Sequence, residues 1–172
     1  MAAPAKRTPA AKVAIPQLTW DQIRPAPVVL VTLPGPNTGE PIAFADALEE
    51  SLAMPEEGDT VRSAVTRAAR ELGLELKIAY EVRSISAMKS LVGRGAAASI
   101  LPFASVIQEV RAGKLDARPI VTPAIRRTLF LASSTQRGPF RNEAALAGAV
   151  RTSMQGLVEA LGPLAHPLWV RT

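Results

Sequence analysis

The sequence predicts an α/β fold. Short apolar or alternating runs bounded by proline and glycine take turns with segments whose apolar residues recur at helical spacing. Hydrophobic residues make up 48% of the 172 positions, enough to fill a core around such layers. No apolar run reaches the ~18–20 residues that a membrane span requires, and the chain has no cysteine to staple a smaller scaffold.

The elements follow in order. Residues 1–27 read as a linker-like tail: Pro4, Pro9, Pro16, Pro25 and Pro27 interrupt any helix, and Lys6, Arg7 and Lys12 keep the segment solvated. "PVVLVTLP" is a short apolar run between prolines, so a buried strand. "GPNTGEP" is a loop, "IAFADALEE" a short helical piece and "SLAMP" a short strand. From Thr60 to Leu72, Val61, Ala64, Val65, Ala68, Ala69 and Leu72 keep helical spacing, with Thr60 as cap and Gly73 as stop. "LELKIAYEV" alternates, which puts Leu76, Ile78, Tyr80 and Val82 on one face of a strand. Ser84 or Ser86 then caps a helix carrying Ile85, Met88, Leu91 and Val92, closed near Gly93 or Gly95. Ala98–Leu101 is a strand, "FASVIQEVRAG" a helix, and "LDARPIV" and "RTLFLAS" two more strands. The longest helix spans about Asn142 to Leu161, with Leu146, Ala149, Val150, Met154, Leu157, Val158 and Leu161 on one face and Pro163 beyond it. The alternation implies largely parallel pairing.

Charge is unevenly placed. Seven acids and no Lys or Arg lie between Glu40 and Asp59, while seven bases and one acid lie between Arg111 and Arg141. The polarity suits an anion or a self-complementary contact; two solvated faces explain it as well. The basic start lacks the apolar block of a secretory signal. With the absence of cysteine, this implies a cytoplasmic protein without disulfides or thiolate metal sites.

Catalytic signals are sparse. His166, the single histidine, sits in a proline-flanked tail without an acid or cysteine nearby. Glu56 and Glu57 are adjacent, which is no evidence for a paired acid and base. "GRGAAAS" lacks the lysine of a phosphate loop, and no metal-ligand spacing occurs. No catalytic residue, metal or cofactor is therefore expected. Aromatics at 4% and a proline-rich start speak against direct nucleic-acid binding by this chain alone. What stands out is three strand–turn–helix junctions, "MPEEGDT", "VRSIS" and "LPFAS". Open α/β sheets bind ligands beyond the carboxyl ends of their strands, where helix N-termini offer unpaired N–H groups. Thr60, Ser84 and Ser86 are either caps or contacts to an anionic ligand.

"ELGLELKIAYEVRSISAMKSLVGRGAAASILPFASVIQEVRAGKLDARPIVTPAIRRTLFLASS" resembles the effector-binding domain of LysR-type transcriptional regulators. It is most similar to the nitrogen-assimilation-control-like branch. The order "K-x-L-V-x-x-G", "x-I-L-P", "V-x-x-E-V-x-A-G-x-L", "P-I-V-x-P", "R-T-L-x-L" carries the resemblance, and "GEPIAFADALEESLAMPEEGDTVR" upstream extends it to about residues 28–160.

The resemblance implies a type-two periplasmic-binding-protein-like fold: one complete α/β subdomain plus the return elements of a second. On it, 1–27 is a tail and 28–162 a partial effector-binding domain. Residues 42–125 form the second subdomain, 28–34 and 126–162 are remnants of the first, and 163–172 is a C-terminal tail. The regulators' helix-turn-helix is absent, so a truncated module is expected. Pro55–Arg62 and Arg83–Ser86 fall in its cleft loops, with Arg83 where the family commonly has aspartate. Thr60, Ser84, Ser86, Glu57, Gly58 and Phe103 are the implied ligand contacts. The implied partners are a small anionic metabolite, such as an organic acid, and a homodimer or higher oligomer. Full-length LysR-type regulators are a further partner if the chain is an interaction protein or a decayed fragment instead.

Overall fold

The computed structural model describes residues 18–134 and 141–160. The expected 163–172 tail, with His166, lies outside them, as does most of the expected N-terminal tail. Among the described residues five α-helices and seven strands largely alternate: β1 (Leu18–Thr32), β2 (Ile42–Ala43), α1 (Phe44–Leu48), β3 (Leu52–Met54), α2 (Thr60–Glu71), β4 (Ile78–Glu81), α3 (Ile85–Gly93), β5 (Ala98–Pro102), α4 (Ile107–Arg111), β6 (Asp116–Val121), β7 (Arg126–Ser134) and α5 (Glu143–Ala160); the short β2 takes the start of the expected "IAFADALEE" helical piece. "FASVIQEVRAG" is not one helix; a 3₁₀ turn over Phe103–Ser105 precedes α4.

The main sheet has the order β2-β6-β1-β5-β3-β4. β2 is parallel to β6, and β4, β3 and β5 are parallel in turn, but β1 is antiparallel to both β5 and β6. Pairing is therefore mixed: five strands share a direction and one central strand opposes them. The cause is the point of entry. β1 comes in from the rim at which the other five end, pairing Val28 with Pro102 at that rim and Thr32 with Asp116 at the far one.

β1 also corrects a sequence expectation. The strand begins at Leu18, inside the stretch read as tail, and Leu18–Pro27 pairs antiparallel with β7 alone. Prolines lack the ladder donor and are confined to strands with a free side. Pro25 and Pro27 are two residues apart, so they fall on the same side of the ladder, and β1 acquires its second neighbour only from Val28 onward. Val28–Thr32, expected among the return elements of a first subdomain, lies at the centre of the main sheet, between β5 and β6. "VVLV" is apolar throughout because both of its faces are covered. Val28 and Leu30 belong to one core cluster with Phe44, Leu52, Met54 and Val65, under α1 and α2. Val29 and Val31 belong to the other, with Met88, Val92, Leu101 and Val106, under α3 and α4.

In β4 the predicted single apolar face is split. Leu76 and Ile78 pack on the first cluster, Val82 on the second, and Tyr80 is 43% exposed. Leu52 pairs with Ile78 but Ala53 with Tyr80, so Ala79 is an extra residue in the ladder. One inserted residue turns the following side chains to the opposite face.

Candidate functional site

Ala43, Met54, Glu81, Pro102 and Val121 end their strands on one rim, where β1 enters from its ribbon with β7. Three loops follow β3, β4 and β5 there. The first, 55–59, turns on an Asp59 N–H bond to the Glu56 carbonyl and needs Gly58 at φ +94°, a conformation that a side chain disfavours. It delivers the chain to α2. The cap there is Asp59, not Thr60: Asp59 Oδ1 accepts from the N–H groups of Val61 at 2.7 Å and Arg62 at 3.3 Å. Thr60 is already the first helical residue and is exposed.

The second loop delivers the chain to α3. Ser84 is its cap, with the Ala87 N–H donating to the Ser84 hydroxyl at 3.4 Å; Ser86 is exposed in the first turn. The loops are neighbours, since the Val82 N–H donates to the Met54 carbonyl at 2.9 Å. They are also tied by an ion pair, with Arg83 Nε donating to Glu56 Oε1 at 2.5 Å. That hydrogen bond, and then the carboxylate's charge, hold the Arg83 proton more firmly than usual. Arg83 itself is exposed, so the pair orients a cation at the rim more than it stabilises the fold.

The third loop is braced from behind. Ser105 donates to the Pro102 carbonyl at 2.6 Å, and Lys89 Nζ donates to the Ser105 carbonyl at 3.2 Å and to Glu109 at 2.6 Å. Phe103 is 4% exposed and packs in the second core cluster, so its side chain is a foundation of this loop and not a surface contact. Of the expected contacts, Glu57 and Gly58 lie in one loop with Thr60 at the helix start after it, and Ser84 ends the next with Ser86 in the helix turn after it, all exposed on the same rim, with Phe103 buried beneath.

Arg62, in the first turn of α2, holds a guanidinium nitrogen, Nη1, that is buried and has no hydrogen-bond partner. Buried donors are paired in all but a few cases. Its place at the end of the acidic loop was visible in the sequence, but its burial depends on the tertiary fold. Among the described residues no group of three or more His, Cys, Asp or Glu could hold a metal ion, and no helix is long and apolar enough to cross a membrane.

The family model described as the LysR substrate binding domain matches residues 7–155. The Hydrogen peroxide-inducible genes activator of Pectobacterium carotovorum subsp. carotovorum is 27% identical over 125 residues, which cover 71% of this chain. The chain spans 40% of that relative's length. The effector binding domain of QuiR in complex with shikimate superposes with a TM-score of 0.67 at 18% identity, covering 84% of this chain and 68% of that one. The Synechocystis PCC6803 CcmR regulatory domain in complex with 2-PG gives a TM-score of 0.67 at 17% identity, covering 89% of this chain and 71% of that one. These structural likenesses establish the fold.

Proposed function

The chain belongs to the LysR substrate-binding-domain family, and from that premise we propose that it is an effector-binding module whose rim of loops takes a small organic acid. The observation that carries the reading is the unpartnered, buried Nη1 of Arg62, a residue of the first turn of α2. A carboxylate reaching this nitrogen would supply the acceptor it lacks. Glu57, Gly58, Thr60, Ser84 and Ser86 are the surrounding contacts in this proposal, through backbone N–H groups and hydroxyls. The complexes named for two structural neighbours, with shikimate and with 2-PG, support a small-molecule ligand. The nitrogen-assimilation-control-like branch is part of the proposal, on the order of motifs from Lys89 to Leu131. So are a sensing and not a catalytic role, a cytoplasmic location, and association with a second copy or with full-length regulators of the family.

The test is a thermal-shift screen of the whole chain against organic acids, followed by titration of hits. A ligand of the native state stabilises it by about 2.7 kcal/mol at a hundredfold excess over its Kd. Arg62→Met should weaken the best acid by roughly tenfold to a hundredfold, the worth of a charge-assisted hydrogen bond, at unchanged apo stability. A screen in which no acid shifts Tm, or an Arg62→Met protein that binds as the wild type does, overturns the reading.

A further inference from the structure

The far rim of the same sheet, where β5 and β6 begin and β1 ends, carries a separate cavity of about 300 Å³. Its most buried charged group is Asp116, 3% exposed, which lies across from Thr32 in the β1–β6 ladder. Both backbone donors that reach this carboxylate, Gly39 N–H at 3.0 Å and Ala117 N–H at 2.8 Å, go to Oδ1. Glu50 adds a second carboxylate to the lining and Arg118 one guanidinium. The guanidinium is already engaged: its Nε donates to the Glu40 carbonyl at 3.0 Å and its Nη2 to the Pro41 carbonyl at 3.5 Å. The cavity thus presents more negative charge than positive, and one carboxylate is almost wholly withdrawn from water, where a countercharge is worth most.

The walls are held in place without a ligand. Thr38 Oγ1 donates to the Gly35 carbonyl at 2.7 Å and accepts the Gly35 N–H at 3.0 Å, closing the turn that forms one side. On the other side Gly95, at φ +69°, passes so close to Leu33 that a Cβ there would stand 3.3 Å from Leu33 Cδ1.

We propose that this cavity is a second binding site, distinct from the effector rim, for a small organic cation bearing a primary ammonium group. Asp116 and Glu50 receive the ammonium hydrogens, and Thr32 and Asn37 are the polar residues beside them in the lining. The volume is at the small end of ligand sites, which start at about 300 Å³, so the ligand is a short amine and not a polyamine chain.

The experiment uses the whole chain, with calorimetric titration and thermal shift against ethanolamine, 1,4-diaminobutane and lysine. Tetramethylammonium, a cation with no N–H donor, and propan-1-ol, the neutral isostere of ethanolamine, are the controls. At least one primary amine should bind one site and raise Tm while both controls stay silent. Asp116→Asn keeps an amide oxygen for the Gly39 and Ala117 N–H groups and should lose affinity at least tenfold. Glu50→Gln, at an exposed position, should lose it several-fold. No shift from any of the three amines at millimolar concentration overturns the proposal, as does equal binding of tetramethylammonium. Unchanged affinity in both variants also overturns it, and if Asp116→Asn does not fold, unchanged affinity in Glu50→Gln alone decides against it.

Discussion

A single carboxylate starts α2: Asp59 Oδ1 accepts two of the helix's free N–H groups. Replacing an N-cap aspartate by alanine costs about 1 kcal/mol. In urea unfolding, Asp59→Ala should therefore lower stability by about that amount, whereas Thr60→Ala should stay within about 0.5 kcal/mol, as for ordinary surface positions. Equal losses in the two variants would put the cap back on Thr60. The sequence alone could not separate these adjacent residues, because both are cap formers and the helical spacing of Val61, Val65 and Ala68 suits either start. At α3 the sequence left Ser84 and Ser86 as alternative caps, and the hydroxyl contact to the Ala87 N–H decides for Ser84. Arg62 was legible as a loop-end base but not as a buried one.

At the scale of elements, Lys89 of α3 and Glu109 of α4 join the two helices that cover one face of the sheet. The hydrogen bond from Lys89 holds the Glu109 carboxyl below the usual carboxylate range; partial burial works against it and the Lys114 charge assists. A depressed carboxyl pKa stabilises the fold above the ordinary carboxyl pKa, and that contribution fades as pH falls through the folded value. Wild type should thus be more stable than Glu109→Gln at neutral pH, and the gap should narrow steadily on acidification below about pH 4.5. A gap that is the same at pH 3 and pH 7 would show that the pair contributes nothing through its charge. Helix and strand identities along this stretch were readable from apolar spacing. The extra residue at Ala79 was not, because nothing local distinguishes a bulge from a regular alternation; only the partner strand defines it.

For the whole molecule, α5 leaves an apolar residue in water, with Leu146 55% exposed. Its sequence continues that face to Leu157 and Val158. Burying such a face gains about 25 cal/mol per Å² of apolar area, and a second copy of the same face is the simplest cover. Sedimentation equilibrium should find a dimer or larger species for the wild type and a shift toward monomer for Leu146→Glu. A well-folded wild type that stays monomeric at ~100 μM, well above a micromolar Kd, would overturn the dimer. The α/β class was legible here because strands and helices alternate along the chain. The reversed central strand was not, since direction depends on which rim a strand enters from.

That reversed strand also sets an order of events. β1 leaves the ribosome well before its ladder partners β5, β6 and β7, which lie between Ala98 and Ser134. Among the described strands, none made before Ala98 pairs with it. During synthesis "VVLV" must wait, unpaired and apolar, while β2 through α3 emerge behind it, and sheets built from such distant segments fold slowly. A nascent strand of this composition is a natural substrate for chaperones. The prolines and bases ahead of it, in "MAAPAKRTPAAK", are of the kind that keep a waiting segment from pairing with its neighbours.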